Sequence, residues 1–312
     1  MTPGTVAITG ASGFVGGHVA QRLVADGWQV RALVRRPDAN LPGRVIAVPG
    51  DLSDSASLTA LVAGADAVIH CAGIVGKVSR AGFQSINVDG TARLAAAANA
   101  DRPPRFILIS SLAAREPGLS AYAASKRDSE QAVISHGDGL DWTILRPAAV
   151  YGPGDRATLA IFRQWRAGFM VVPSNGEQRV SLIHAGDLAA GVAALLASGR
   201  SSGETFEIGD RHPDGYGWDH MAKAGGLALG RAVSRIAVPR AILMAGATVN
   251  LAAHGLIGRT PVVTPGKIRE LCHPDWVCDD GPMAAASGWS PTMSINDGFK
   301  DTVAWYRNHG WL

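Results

Sequence analysis

Val6-Ala7-Ile8-Thr9-Gly10-Ala11-Ser12-Gly13-Phe14-Val15-Gly16-Gly17, continued by His18-Val19-Ala20-Gln21-Arg22-Leu23-Val24, is the stretch whose reading decides the fold. Its short apolar, β-branched run reads as a buried strand, its glycines as a tight turn, and Val15, Val19, Leu23 and Val24 as the inward face of a helix. At such a turn the free N–H groups and the helix dipole favour an anion, and a side chain would block the approach of a pyrophosphate. The spacing is Gly10-x-x-Gly13-x-x-Gly16 rather than G-x-G-x-x-G. An ordinary strand-to-helix turn is the competing reading, but the place of the triplet directly after a strand favours a nucleotide cradle.

Composition agrees with one large α/β unit. The 312 residues are 47% hydrophobic and 18% charged, enough for a sizeable core and a smaller lobe. The net charge of +3 comes without a basic run or an interleaved aromatic platform, which argues against nucleic acid as a partner. Three cysteines, Cys71, Cys272 and Cys278, form no C-x-x-C pair and suggest free thiols in a reducing compartment. The first strand begins by Val6, which leaves no room for a signal peptide. The expected location is cytoplasmic.

Working outward, Gly27 to Val34 reads as a second strand ending in Arg35-Arg36, with the first acid, Asp38, beyond Pro37. In dinucleotide folds an acid at this strand end meets a ribose 2′-hydroxyl, whereas an arginine accommodates a 2′-phosphate. NADP(H) is therefore preferred as cofactor, with NAD(H) the alternative; two solvated arginines are the competing reading. Val45 to Val48, Gly50-Asp51-Leu52 and an amphipathic helix through Leu58, Leu61 and Val62 follow. Ala67 to His70 is a fourth strand, and the small residues Cys71-Ala72-Gly73 let a cofactor lie against its end. His70 and Cys71 point to opposite strand faces, so a packed histidine is preferred to a metal site.

Asn87-Val88-Asp89-Gly90-Thr91 is read as the opening of an alanine-rich helix to about Ala100, and Arg105 to Ser111 as a fifth strand ending in two hydroxyls. Strands alternating with helices imply right-handed crossovers and a Rossmann-type doubly wound parallel sheet. Ligands then bind at the strand C-terminal ends, where Ser110 and Ser111 sit. Tyr122-Ala123-Ala124-Ser125-Lys126 comes next. Four residues apart on a helix, tyrosine and lysine share a face, so the ammonium is expected to lower the phenol pKa from about 10 toward working pH. A tyrosine so tuned exchanges a proton with a carbonyl or alcohol oxygen.

Taken together, Thr9-Gly10-x-x-Gly13-x-x-Gly16, Asp51-Leu52, Asn87-Val88-x-Gly90-Thr91, Ser110-Ser111, Tyr122-x-x-x-Lys126, Leu145-Arg146-Pro147-x-x-Val150-Tyr151-Gly152-Pro153-Gly154 and His184-x-x-Asp187-Leu188 resemble the extended short-chain dehydrogenases/reductases, the broad family of NAD(P)-dependent epimerases, dehydratases and reductases. The resemblance covers roughly residues 5–210. It implies Tyr122 as acid/base, Lys126 as its partner and a ligand of the nicotinamide ribose, and Ser111 as the group polarising the substrate oxygen. It implies Gly10, Ser12, Gly13, Phe14, Val15 and Gly16 as the phosphate loop, with Arg35 and Arg36 at the adenosine ribose. Asp51 and Leu52 would meet the adenine, Ala72 and Gly73 the dinucleotide backbone, and Pro147, Ala149 and Val150 the nicotinamide. Asn87 matches a position linked to proton relay, with a helix-start role as the alternative; His184 and Asp187 fit a helix cap. Residues 1–155, completed by strands from about 180–210, would form the dinucleotide-binding core, and residues 156–312 mainly a substrate lobe. Family members also offer the precedent of a homodimer.

Beyond Val150 the pattern thins. Thr158 to Arg166 suggests a helix over the active site, Phe169 to Pro173 a hydrophobic edge, and Phe206 to Gly209 a late strand. Ala237 to Gly258 is nearly uncharged after Arg240 and is flanked by Arg231, Arg235, Arg240, Arg259, Lys267 and Arg269. It is too interrupted for a membrane span of about 20 apolar residues. A buried lobe helix is one reading, and an apolar lid or a peripheral membrane contact admitting a lipophilic substrate is the other. Cys272-His273-x-Asp275-x-x-Cys278 lacks zinc-ligand spacing and reads as a structural loop, so no metal is expected.

The chemistry implied is interconversion of a ketone and a secondary alcohol on a bulky hydrophobic molecule. The tail, Trp305-Tyr306-Arg307-x-x-Gly310-Trp311-Leu312, and the apolar lobe resemble the branches of 3β-hydroxysteroid dehydrogenases and bacterial ceramide-type lipid reductases. A nucleotide-sugar epimerase or dehydratase is the alternative, although dehydratases place an acid just after the serine, where Leu112-Ala113 stand. A non-catalytic NADPH-binding assembly subunit would need none of Ser111, Tyr122 and Lys126.

Overall fold

The structure is a computed structural model describing residues 3–312 apart from 37, 77, 100–103, 137–138, 174–175, 200–202, 256, 258–260 and 262. The sequence readings at Pro37, Ala100, Leu256, Gly258 and Arg259 thus lie outside the described residues.

The first half alternates strand and helix: β1 (Thr5–Thr9), α1 (Phe14–Ala25), β2 (Gln29–Val34), β3 (Ile46–Pro49), α2 (Ser55–Val62), β4 (Ala67–His70), α3 (Arg80–Phe83), a π turn over Gln84–Asp89, α4 (Gly90–Ala98), β5 (Arg105–Ile109), α5 (Ala121–Ile134) and β6 (Trp142–Pro147). The second half carries β7 (Ala149–Tyr151), α6 (Leu159–Ala167), β8 (Phe169–Pro173), β9 (Arg179–Val180), β10 (Leu182–His184), α7 (Ala185–Ser198), β11 (Glu204–Ile208), α8 (Trp218–Leu229), β12 (Ser234–Val238), α9 (Arg240–Gly255), α10 (Pro265–Leu271), β13 (Asp275–Trp276), α11 (Gly281–Ser287) and α12 (Ile295–Asn308).

Seven strands form one parallel sheet in the order β11-β6-β5-β4-β1-β2-β3. Alternation along each strand sends successive side chains to opposite faces, and helices cover both, which is why these strands read as continuous apolar runs. Val6, Ile8, Ile69, Ile107 and Leu145 pack with Val19, Leu23, Leu188 and Val192 of α1 and α7. Ala7, Val68, Phe106, Leu108 and Ile144 pack on the other face with Leu58, Leu61, Leu94 and Val133 of α2, α4 and α5. A third core, built from Phe162, Trp165, Trp218, Met221, Phe299 and Tyr306, belongs to the second half.

One sequence reading is extended here and another changes. The alanine-rich helix α4 starts at Gly90, within the expected Asn87–Thr91 opening, but helical structure runs on before it: α3 begins at Arg80, where the Ser79 hydroxyl accepts the Gly82 N–H at 3.2 Å and caps it, and Asn87 lies inside the π turn between the two. The apolar stretch forms α9, and Ala247 is its one buried residue. It is therefore not the buried lobe helix that one reading allowed: one side rests on the lobe and the rest is turned outward. Phe169 to Pro173 is β8, paired in parallel with β12. The 272–278 segment makes β13, paired with β9 and clamped by Arg115, whose guanidinium donates to the carbonyls of Asp275 and Val277 at 2.6 and 2.8 Å.

Candidate active site

Three glycines shape the turn between β1 and α1. Gly10 has φ +77°, and a Cβ there would lie 2.7 Å from the Ala72 amide nitrogen; at Gly16 it would lie 2.2 Å from the Gly10 carbonyl oxygen. Strand end, turn and the start of α1 are thus packed backbone to backbone, with Ser12 and Gly13 exposed beside them. No side chain caps α1, whose N-cap is Gly13, so its first N–H groups are available to an anion. Ala72 and Gly73 follow β4 directly alongside. This cradle fits the pyrophosphate of a dinucleotide.

Around it, Arg35 and Arg36 are exposed at the end of β2. Asp51 accepts the Ser53 N–H and hydroxyl at 2.9 and 2.8 Å; those bonds, with weaker help from Arg35 and Arg93, hold its carboxyl below its ordinary value. Leu52 packs over Gly90, where a Cβ would come within 3.1 Å of it. Pro147 ends β6, while Ala149 and Val150 lie on β7, so these residues stand next to the C-terminal end of the sheet.

Ser111 and Tyr122 come together at the same end. Ser111 ends the loop after β5 and caps a 3₁₀ turn over Leu112–Arg115, accepting the Ala113 N–H at 3.2 Å. Ser120 caps α5 by accepting the Ala123 N–H at 3.0 Å, which sets Tyr122 in the first turn. The Tyr122 phenol is hydrogen-bonded with Ser111, but burial outweighs that bond and, with the nearby Glu270 carboxylate, pushes its pKa up to about 12. Lys126, four residues on, is buried and donates to the Ile109 carbonyl at 2.8 Å. Burial brings its pKa down to about 8 against the support of Glu130 and Cys71. The expected lowering of the phenol pKa by the ammonium therefore gives way to the opposite shift: Lys126 is engaged at the strand end, and desolvation governs Tyr122.

Several partners of this pair escaped sequence reading. Glu130, 1% exposed, accepts from Ser110 Oγ at 2.6 Å and from Arg146 Nε and Nη2 at 2.8 and 2.6 Å. It stands one turn beyond Lys126, a spacing that could have revealed it. Glu270 of α10 accepts from Ser120 Oγ and from Lys267 Nζ at 2.8 Å; no local signal links it to a helix 150 residues away. Asn87 exchanges hydrogen bonds with the Ile74 backbone at 2.8 and 3.0 Å and donates to Ser125 Oγ at 2.9 Å. It thereby fastens the loop after β4 to α5. His70 lies between Thr9 Oγ1 at 2.6 Å and Thr91 Oγ1 at 2.9 Å, and burial lowers its pKa to about 3, so the ring is neutral and structural. Cys71 is pushed up to about 12 by burial. His184 caps α7 by accepting the Gly186 N–H at 3.2 Å. Asp187 does not share that cap but reaches Thr292 and Met293.

Residues 6–209 match the NAD dependent epimerase/dehydratase family. The chain belongs to that family. As a member it is an NAD(P)-dependent enzyme of the short-chain dehydrogenase/reductase type, built on a Rossmann fold. It is 42% identical to the ceramide reductase of Caulobacter vibrioides, over 99% of this chain and 96% of the relative. It is 25% identical to a 3beta-hydroxysteroid-dehydrogenase/decarboxylase of Arabidopsis thaliana, over 95% and 78%. The UDP-glucuronic acid 4-epimerase of Bacillus cereus, solved with UDP-glucuronic acid and NAD, superposes at a TM-score of 0.75 with 19% identity, covering 98% and 99% of the two chains; at that identity the likeness concerns the fold. Among the described residues no helix is long and apolar enough to cross a membrane.

Proposed function

We propose that this epimerase/dehydratase family member is an NADP(H)-preferring ketoreductase that interconverts a ketone and a secondary alcohol on a bulky, lipid-like molecule, a 3-keto sphingoid or ceramide-type lipid being the most specific candidate. The observation that supports the reaction is the meeting at one end of the sheet of Ser111, just after β5, with Tyr122 and Lys126 one turn apart on α5, Lys126 donating to the Ile109 carbonyl. The substrate class is supported by the name of the 42% identical relative.

A nicotinamide dinucleotide, when bound, supplies or accepts hydride. Gly10, Ser12, Gly13, Phe14, Val15 and Gly16 would hold its pyrophosphate, Arg35 and Arg36 a 2′-phosphate, Asp51 and Leu52 the adenine, Ala72 and Gly73 the backbone, and Pro147, Ala149 and Val150 the nicotinamide. Ser111 Oγ donates to the substrate oxygen and holds it against Tyr122. With its pKa near 12 the phenol carries its proton at neutral pH, so Tyr122 acts as the acid that delivers a proton to the developing alkoxide. Lys126, brought to about 8, keeps an ammonium below that pH to bind the ribose and stabilise the phenolate left behind. Residues 1–155 with 180–210 would bind the dinucleotide, and 156–312 mainly the substrate. The three unpaired thiols support a reducing, cytoplasmic compartment, and a long-chain substrate calls for peripheral contact with a bilayer through 237–258.

Purified protein assayed for NADPH and NADH oxidation against long-chain ketones, steroids and UDP- or dTDP-sugars tests this reading. Lipid-ketone turnover with NADPH is expected. Replacing Arg35 and Arg36 by Ala should weaken NADPH binding about tenfold or more while sparing NADH, and Tyr122→Phe should retain NADPH while turnover falls by about 10²- to 10⁴-fold. Activity confined to nucleotide sugars, or an undiminished Tyr122→Phe enzyme, would overturn it.

A further inference from the structure

The outward face of α9 inverts the usual pattern. A surface helix ordinarily turns its apolar stripe inward and its polar residues to water. In α9, residues at i, i+3, i+4 and i+7 share a face, and Ile242, Ala245, Gly246 and Val249 form such a set, continued by Ala252 and Ala253; all are exposed. Ile242 is 62% and Val249 69% exposed. The uncharged polar side chains Thr248 and Asn250, and one ring nitrogen of His254, bond within the chain. Thr248 donates to the Met244 carbonyl at 2.9 Å, Asn250 Nδ2 donates to the Val263 carbonyl at 3.0 Å, and His254 Nδ1 lies 2.9 Å from the Asn250 carbonyl. Ile236 of β12, Ile257 and Val263, in the segments that flank the helix, are likewise 47, 62 and 47% exposed. Scattered exposed apolar side chains need no explanation, but a contiguous set marks an interaction surface.

Charge identifies what covers it. From Arg231 to Arg269 the chain carries Arg231, Arg235, Arg240, Arg259, Lys267 and Arg269 and neither Asp nor Glu. Before β12, a groove of about 540 Å³ is lined by Lys223, Leu227, Arg231 and Arg235 together with Asp219, which pairs with Arg235 at 2.7 Å. Through Pro239, β12, whose Arg235 lines the groove, runs directly into α9. A second copy of this chain would bring like charges together across a self-complementary interface. An anionic bilayer instead accepts both features, the apolar face among acyl chains and the cations among headgroups.

We propose that α9, with β12 and the groove beside it, docks this protein peripherally on anionic membrane surfaces. The surface also adjoins the candidate active site. Helix α9 packs on α10, which presses on the N-terminus of α5: a Cβ at Gly266 would lie 2.9 Å from that of Ser120, Arg269 donates to the Leu119 carbonyl at 2.7 Å, and Glu270 accepts from Ser120. A docked molecule would hold its Tyr122 end against the source of a lipid substrate; this last link rests on the lipid-reductase reading, whereas the docking does not.

Vesicle flotation of the intact protein, without substrate, tests it. Vesicles of equal parts phosphatidylglycerol and phosphatidylcholine should carry the protein upward and pure phosphatidylcholine should not, with release in high salt. Ile242→Ser with Val249→Ser, and separately Lys223→Gln with Arg240→Gln, should each lower partitioning by about tenfold or more. Unchanged thermal unfolding serves as the control for folding. Absence of flotation with both vesicles, or equal flotation with both, overturns the proposal. A dimer abolished by the Ile242→Ser, Val249→Ser pair without vesicle binding overturns it in favour of self-association. Failure to reduce a lipid ketone leaves the partitioning result unaffected.

Discussion

Lys126 shows how one residue can set catalysis against stability. Burial drops its pKa from 10.5 to about 8, so between those values the unfolded chain binds more protons than the folded one. Stability contributed by this site therefore rises with pH across that window, and the full cost of burying the charge is present below about pH 8. Lys126→Met should raise stability at pH 7 by about 1–2 kcal/mol, the relief of desolvation being partly offset by the lost bond to the Ile109 carbonyl. The gain should fade as pH climbs from 8 to 10.5, while turnover collapses. Denaturant unfolding at pH 7 and pH 10 measures it; a variant less stable at pH 7 would refute the account. The Tyr122-Lys126 pair was visible as a spacing. The direction of its pKa shifts was not, because burial depends on elements distant in sequence.

At the scale of elements, β1, the glycine turn and α1 were legible because each uses local rules: an apolar run, residues without a Cβ, a period of 3.6. Gly16→Ala would drive a methyl into the Gly10 carbonyl at 2.2 Å. We expect a loss of about 1–3 kcal/mol in stability together with weakened NADPH binding, read by thermal unfolding and fluorescence titration. Unchanged values in both would show that the close approach is not required. The short α3 ahead of the alanine-rich helix was not legible, because Ser79 supplies its cap within a loop that carries no apolar period, and Asn87, at the expected helix opening, spends its amide on Ile74 and Ser125. Helix α9 shows the opposite difficulty. Its composition suits burial, and only its contacts reveal an outward apolar face.

At the scale of the molecule, Asp187 ties the sheet layer to the C-terminal helix. Its carboxylate accepts the Thr292 N–H at 3.1 Å, the Thr292 hydroxyl at 2.9 Å and the Met293 N–H at 2.9 Å, just before α12. Helix α12 carries Phe299, Val303 and Tyr306 into the third core, and Tyr306 donates to the Asp155 carbonyl at 2.6 Å. Asp187→Ala strands these donors and should cost about 2–4 kcal/mol by denaturant unfolding, with Asp187→Asn recovering part of it. A loss below about 0.5 kcal/mol, the range of ordinary surface substitutions, would remove the tie from this role.

By itself the sequence determined the doubly wound parallel sheet, the glycine cradle, the serine at a strand end and the Tyr122-Lys126 spacing, since all follow from contiguous residues obeying short-range periodicity and backbone sterics. Only the tertiary structure decided what surrounds them. The Glu130-Arg146 pair beside Lys126, the Glu270 contact across 150 residues with Ser120, the raised Tyr122 pKa and the outward face of α9 depend on long-range packing. Desolvation and exposure arise from which surfaces meet in space, and no local pattern of residues specifies that.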